Sequence, residues 1–283
     1  MEVDTGAWSE WKAWASDEGL KQAVVNPLGL SAPAMVTVVV GKTLGGLLAD
    51  GLLLLVCMLL GAKKLPTRDP TPISKGLETL IAKDYLFLAI NQVLEAIGVM
   101  HVVQVVLSEP KVQWGLEDLT VANSLLVVYT IVMVDDFMYY FIHRLMHVPA
   151  LYPYCHKHHH RQSMPKRGYL DAANEHPMEQ VFGLGLMIIA VHLVVTYWPL
   201  GVHVAGVLGF LLVYAATAFL NHTPYDIKLG WLMLGYSVRA HEMHHRFPQT
   251  NYAQNTMVWD KLFGTFEEYR CSRPATLSTK KLS

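Results

Sequence analysis

Three short runs in the second half of the chain carry the residues best suited to chemistry: His143-Arg144-Leu145-Met146-His147, His156-Lys157-His158-His159-His160 and His241-Glu242-Met243-His244-His245. Offsets of three and four residues place side chains on one face of an α-helix, within a turn of each other. Neutral imidazole is the commonest side-chain ligand for a metal. Eight of the 14 histidines fall at these offsets: His143, His147, His156, His159, His160, His241, His244 and His245. A structural zinc site uses four ligands, so twice that number predicts two metals. A site rich in imidazole and poor in carboxylate suits iron better than magnesium or calcium, which prefer oxygen; on donor type alone zinc stays open beside iron.

Other residues extend the pattern. His222, in Asn221-His222-Thr223-Pro224-Tyr225-Asp226, sits where the last apolar stretch ends and is expected to be a ninth ligand, with Asp226 four residues on as an oxygen ligand or hydrogen-bond partner. Asp136 lies seven residues before His143, two helical turns away on the same face of an apolar span. An acid there is a functional candidate. It is expected to orient His143 or His147 through their second nitrogen, with Asp135 the lesser alternative; the competing reading is packing against Tyr139 or Tyr140. His176 precedes Pro177, the signature of a helix N-terminus, which favours capping or a supporting contact over ligation. His158 points off the face of its neighbours, while His101, His192 and His203 stand alone and read as core or interfacial residues. No catalytic residue is expected beyond the metal ligands.

The elements that must position these residues are apolar helices. Of the 283 residues 52% are hydrophobic and only 16% charged, with positive mean hydropathy, too greasy for an ordinary soluble domain. The reading is an all-α integral membrane protein with four to five transmembrane helices, at about 44–61, 84–107, 119–142, 181–198 and 202–220, under a cytosolic histidine-rich helical cap. The stretch 28–43 is a marginal partner of the first, and 181–220 reads as a hairpin broken at Trp198-Pro199-Leu200-Gly201. Three parts follow: an N-terminal segment 1–83 with one membrane helix and a basic loop, a catalytic domain 84–270, and a tail 271–283. Trp8, Trp11 and Trp14 could lie at the headgroups or against the protein, and the N-terminus lacks the pattern of a cleavable signal.

Topology places the clusters together. The loop 62–83 carries Lys63, Lys64, Arg68, Lys75 and Lys83, whereas 108–120 is acid-rich. Positive charge is retained in the cytosol, so all three clusters are expected on one cytosolic face. The ending Lys280-Lys281-Leu282-Ser283 resembles a dilysine signal, which predicts an endoplasmic reticulum protein with a cytosolic C-terminus. A net charge of -1 without a basic aromatic patch gives no case for nucleic acid. Cys57, Cys155 and Cys271 are widely spaced and imply no disulfide framework; Cys57 is expected among lipid-facing residues.

The spacings His143-x-x-x-His147, His156-x-x-His159-His160 and His241-x-x-His244-His245 resemble the three histidine boxes of the fatty acid hydroxylase and sterol desaturase superfamily of membrane di-metal oxygenases. Their flanks are similar too: Tyr140-Phe141-Ile142-His143-Arg144, His176-Pro177-Met178-Glu179, Asn251-Tyr252 and Trp259-Asp260-Lys261-Leu262-Phe263-Gly264-Thr265. Within it, the arrangement is most similar to the C-4 methylsterol oxidases, including His222-x-x-x-Asp226, where sphingolipid hydroxylases carry histidine at both positions. The resemblance spans roughly 119–270. It implies two non-haem irons that use O2, and electrons from NAD(P)H delivered through cytochrome b5 or a reductase, to hydroxylate or desaturate an unactivated C–H bond of a bilayer lipid. A sterol is the expected substrate; a fatty acid or sphingolipid hydroxylase and a sterol desaturase are the alternatives within the superfamily.

Two other classes remain. His241-Glu242-Met243-His244-His245 also satisfies H-E-x-x-H, two zinc-binding histidines with a glutamate base, as in a membrane metalloprotease. Histidine clusters also occur on metal transporters, although transporters place their ligands near the bilayer midplane.

Overall fold

A computed structural model describes residues 23–66 and 79–270. The three N-terminal tryptophans, Arg68, Lys75, Cys271 and the dilysine ending lie outside them. Among the described residues, five helices are long and apolar enough to cross a bilayer: α1 (Ala32–Leu59), α2 (Ala82–Ser108), α3 (Val121–Met146), α6 (Pro177–Tyr197) and α7 (Val204–Asn221). Short helices α4 (Tyr152–Cys155), α5 (Tyr169–Ala172), α8 (Val238–Arg246) and α9 (Val258–Leu262) gather at the histidine end. The expected boundary at residue 44 moves: α1 runs unbroken from Ala32, with Pro33 in its first turn, where a missing N–H costs nothing. Its length carries Lys42 and Asp50 inside the span.

In α2, α3, α6 and α7 a third or more of the apolar window is buried, against 11% in α1. The first four make the bundle, and α1 leans on its edge. Lipid removes the hydrophobic drive for helix association, so close packing of small residues must do that work. On α7, a Cβ added at Gly206 would stand 2.9 Å from the side chain of Val127 on α3, so only glycine lets the two backbones approach. The core around this crossing holds Val127, Ile131, Val191, Val195 and Phe210, and includes Cys57, which turns inward rather than to lipid.

The far end of the bundle is tied by a two-residue parallel pairing of β1 (Val112–Gln113) with β2 (Val202–His203). His203 caps α7 by accepting from the Ala205 amide at 3.1 Å, and its Nε2 lies 3.1 Å from the Gly115 carbonyl. With the far ends levelled, helix length decides what protrudes at the other. The 26 residues of α3 reach about 39 Å at 1.5 Å each, against a hydrocarbon thickness of about 30 Å. Its last turn, with His143, therefore projects beyond the apolar layer. A second pairing, β3 (Lys228–Gly230) with β4 (Tyr236–Ser237), follows α7 and leads into α8.

Candidate metal centre

Nine imidazoles from four parts of the chain meet at the histidine end. His143 occupies the last turn of α3 and His147 its C-cap. His156 ends α4, and His159 and His160 lie on a 3-10 turn (His159–Arg161). His222 caps the C-terminus of α7, and α8 carries His241, His244 and His245. They sort into two groups, His143, His147, His156, His160 and His244 in one and His159, His222, His241 and His245 in the other. The doublets explain the sorting. Pairs four apart (143/147, 156/160, 241/245) stay together, whereas adjacent residues on a helical turn point about 100° apart, so each doublet sends one ring to each group.

The ring nitrogens face each other. In the first group Nε2 of His156 is 2.9 Å from Nε2 of both His143 and His160, and Nε2 of His244 is 3.0 Å from His160 and 3.2 Å from His147. In the second, His241 Nε2 is 3.0 Å from His245 and 3.2 Å from His222, which is 3.4 Å from His159. For three of the nine rings the opposite nitrogen fixes which side carries the proton. Nδ1 of His143 meets the Tyr252 carbonyl at 2.6 Å, Nδ1 of His244 the Thr250 carbonyl at 2.7 Å, and Nδ1 of His222 the Ala218 carbonyl at 2.7 Å. A carbonyl only accepts, so each Nδ1 carries the proton and each Nε2 presents a lone pair inward. Burial, then neighbouring histidines, hold His156, His160, His244 and His245 well below the usual histidine range, and lower His147 to about 2. Burial also lowers His222. Each group thus aims at least one Nε2 lone pair inward, with the nitrogens of the other rings about 3 Å away around a common centre. Two nitrogens each about 2.1 Å from one centre, at a right angle, are separated by about 3.0 Å. The donor set therefore fits two transition-metal ions.

Buried carboxylates hold the scaffold. Asp136 contacts neither His143 nor His147, contrary to expectation. It accepts from the amides of Gln254, Asn255 and Thr256 at 2.8–2.9 Å and from the Thr256 hydroxyl at 2.7 Å. Asp260 takes the amides of Tyr252 and Ala253, both at 2.8 Å, and the Thr265 hydroxyl at 2.6 Å. Asn251, in the left-handed region at φ 53° that asparagine tolerates, binds the Ala240 and Glu267 carbonyls through its amide. The loop they fix supplies the carbonyls under His143 and His244, so Asp136 acts through the backbone rather than on a ring. Asp84 on α2 pairs with Arg161 at 2.5 Å and with His158 at 3.0 Å, which accounts for His158 turning off the ligand face. Gly168 donates its N–H to the His222 carbonyl at 2.9 Å with φ 55°, and a Cβ there would run into Asp50, so the turn beneath His222 requires glycine.

Two further expectations resolve. Asp226 lies in neither group: both its oxygens engage Arg239, at 2.8 Å from Nε and 2.5 Å from Nη2. His176 caps α6, accepting from the Met178 amide at 3.2 Å. Cys155 lies in neither group, its thiol donating to the Leu151 carbonyl. The glutamates flanking His176-Pro177 were not anticipated. Glu179 Oε1 is 2.7 Å from His156 Nδ1, and Glu175 and Glu179 lie within metal-ligand range of His159. Burial raises Glu175 to about 8. Their i,i+4 spacing around a helix start was the available signal.

Beside the second group opens a cavity of about 350 Å³. His159, His222 and His241 line one part of it, and the remaining wall is mostly apolar, from Val99, Leu184, Met187, Leu211 and Phe219.

Fold and site together define a helical membrane protein with a paired polyhistidine centre at one end of its bundle and an apolar cavity beneath. Residues 128–265, which contain all nine histidines, match the family model described as fatty acid hydroxylase. Over this segment the chain is similar to the family that the histidine spacing implied. It is similar to methylsterol monooxygenase 1 of Rattus norvegicus, 27% identical over 145 residues that make up 48% of this chain and 45% of the relative. A C-4 methylsterol oxidase of Schizosaccharomyces pombe is 27% identical over 149 residues, 52% and 49% of the two chains. A fatty acid hydroxylase of Mycosarcoma maydis is 28% identical over 146 residues, 52% of this chain and 35% of the relative. The chain thus spans half or less of the length of these relatives. No solved structure matches it.

Proposed function

We propose that the protein is a membrane-bound oxygenase whose nine histidines hold two irons and that it oxidises an unactivated C–H bond of a lipid, a C-4 methylsterol being the substrate the relatives favour. The inward-facing lone pairs of two imidazole groups, one of them on the wall of an apolar cavity, carry this reading. When bound, the irons supply O2 activation driven by external electrons, with NAD(P)H and cytochrome b5 or a reductase as the source the family implies.

The chain's own residues do the rest. His159, His222 and His241 face the cavity, so the second group meets the lipid while the first lies behind it. The carbonyls of Tyr252, Thr250 and Ala218 keep the protons on Nδ1 and the lone pairs on the metal side. Leu184, Met187, Leu211 and Phe219 exclude water around the reacting carbon and seat a rigid apolar skeleton. Supporting a cytosolic histidine end, Lys63, Lys64, Arg144, Lys157, Lys166 and Arg167 lie near it, whereas the far-end loop holds Glu109, Glu117 and Asp118 around Lys111. An endoplasmic reticulum location rests on the dilysine-like ending.

The protease reading loses support from one contact. His241 and His245 join His159 and His222 in a four-imidazole group, and Glu242 accepts from the Tyr269 hydroxyl at 3.3 Å rather than lining the cavity. A fatty acyl or sphingolipid substrate remains the second reading, favoured by the similarity to a fatty acid hydroxylase. The test is metal analysis of the purified protein together with a sterol and lipid comparison of cells with and without the gene. Two irons per chain and accumulation of 4-methylsterols on loss are expected. Absence of iron, or an unchanged lipid profile, would overturn the proposal; unhydroxylated acyl lipids would move it to the second reading.

A further inference from the structure

Between α7 and α8 the chain leaves the histidine end and returns to it. From Leu229 to Val238 this stretch contains no charged residue. The pairing of β3 with β4 folds it into a hairpin, with Trp231, Leu232, Met233 and Leu234 at the tip. The hydroxyl of Tyr129 on α3 donates to the Leu232 carbonyl. Tyr129 is the ninth residue of α3, about 12 Å from its start and about 21 Å short of His143. Side chains on a helix lean towards its N-terminus, so that hydroxyl is no nearer the histidines than the backbone that bears it. In a hydrocarbon layer about 30 Å thick the tip therefore stands well inside the layer, although the chain enters it from the histidine end.

The tip suits lipid rather than water. Trp231 is 84% exposed, Leu232 49% and Leu234 37%. The backbone beneath these side chains is satisfied from within. The Gly230 carbonyl accepts from the Gly235 amide at 2.7 Å, Trp231 from Leu234 at 3.3 Å, Leu234 from Met257 at 3.2 Å, and Leu232 from the Tyr129 hydroxyl. Water would serve such carbonyls at an exposed turn, whereas hydrocarbon cannot, so at this depth each needs a donor from the protein. Leu234 also holds φ 49°, in the left-handed region. Glycine or asparagine is the ordinary occupant of that region, and a bulky apolar side chain there is an outlier. A groove of about 440 Å³ that shares Tyr129 with the tip runs along α3, lined by Leu126, Met133, Phe137 and by Trp259 of α9. The tip is thus continuous with the lipid-facing side of a membrane-crossing helix.

We propose that Trp231, Leu232 and Leu234 form a re-entrant anchor that inserts among the acyl chains of the leaflet on the histidine side. Its role follows from what it is joined to. β4 runs directly into α8, and the Tyr236 hydroxyl donates to the Thr217 carbonyl of α7 at 3.1 Å. Lipid contact at the tip thus sets the height of His241, His244 and His245 relative to the acyl chains. The inference goes beyond the lipid-oxygenase reading and does not depend on which metal or which lipid the site takes.

The test is electron paramagnetic resonance on the full chain in phosphatidylcholine nanodiscs, one chain per disc. A nitroxide on Trp231→Cys, in a Cys271→Ser background, is compared with one on Leu126→Cys, on the lipid-facing side of α3, and one on Asp118→Cys, in the far-end loop. Cys57 and Cys155 are buried and stay unlabelled. Molecular oxygen, which concentrates in hydrocarbon, is expected to reach the label at position 231 in preference to a water-soluble nickel chelate. The ratio of the two accessibilities should match that at position 126 and stand several-fold above that at position 118. Access of the nickel chelate equal to that at position 118 would place the tip in water, and exclusion of both reagents would mean that protein covers it; either result overturns the proposal. Should the cysteine substitution prevent folding, the unsubstituted chain carries its own probe. Lipids brominated at mid-chain are expected to quench tryptophan fluorescence, and Trp231→Phe, an exchange of one apolar ring for another, removes part of that quenched signal. A loss confined to the fluorescence that aqueous iodide quenches would overturn the proposal.

Discussion

His244 and His245 are consecutive residues that serve different groups: Nε2 of His244 lies 3.0 Å from that of His160, and Nε2 of His245 lies 3.0 Å from that of His241. Single substitutions should therefore separate the two centres. His245→Ala leaves three imidazoles in the second group and His244→Ala leaves four in the first. Iron per chain is expected to fall from two towards one in His245→Ala, with lipid oxidation lost, because that group faces the cavity. His244→Ala should retain more of its metal. Metal analysis of each variant checks this, and parallel loss of both irons in both variants would contradict two separable centres.

Asp136 gives a prediction of a different kind, since it touches no ligand. Four donors converge on its two oxygens. Asp136→Asn turns one oxygen into an NH2 group that must face N–H or O–H donors. Leaving such buried groups unpaired costs about 1–3 kcal/mol each, so a loss of about 3 kcal/mol in stability is expected. The loop that carries the Tyr252 carbonyl loosens with it, and iron affinity should fall even though all nine histidines remain. Unchanged melting and metal content would show that the loop is held by other contacts.

Much of this is legible in the sequence, and the reasons differ by element. The histidine runs could be read because ligand spacing on a helical turn is a local property, and the five apolar stretches because crossing a bilayer demands continuous length. The supporting set was not legible. Asp136 bonds to residues 254–256, more than a hundred positions away, and nothing within a turn of it marks those partners. Asp226 sits four residues from His222, which suggests ligation, yet the bend at Pro224 turns it to Arg239. Lys42 read as an interruption of an apolar stretch because Glu95 and Tyr169, the partners of its ammonium, are joined to it only by the fold.

Asp226→Asn distinguishes its two roles directly. As a ligand it would take metal with it. As the partner of Arg239, with side chains 14% and 31% exposed, it should change stability by under about 2 kcal/mol and leave iron at two per chain. Metal content of the variant decides, and a loss of iron without unfolding would restore the ligand reading.

Acid should unfold the metal-free protein before it unfolds the loaded one. His147, His156, His159, His160, His241, His244 and His245 are all lowered in the folded state, by burial first, whereas in the unfolded chain they titrate near 6.5. Below that pH the unfolded chain binds protons that the folded chain does not. Stability is therefore complete above pH 6.5 and lost as pH falls, by up to about 1.4 kcal/mol per pH unit for each group. Glu175, raised to about 8 by burial, acts in the opposite direction as pH falls from 8, and other buried carboxylates offset a further part. Even half of the remainder would remove several kcal/mol within one pH unit, comparable with the whole stability of a typical domain. Bound metal competes with those protons for the same lone pairs, so the transition should move to lower pH when iron is present. Melting temperatures of chelated and iron-loaded protein between about pH 7.5 and about pH 5.5 test this. The expected result is a steep fall confined to the chelated sample; a parallel fall in both would mean that the inward nitrogens do not bind the metal.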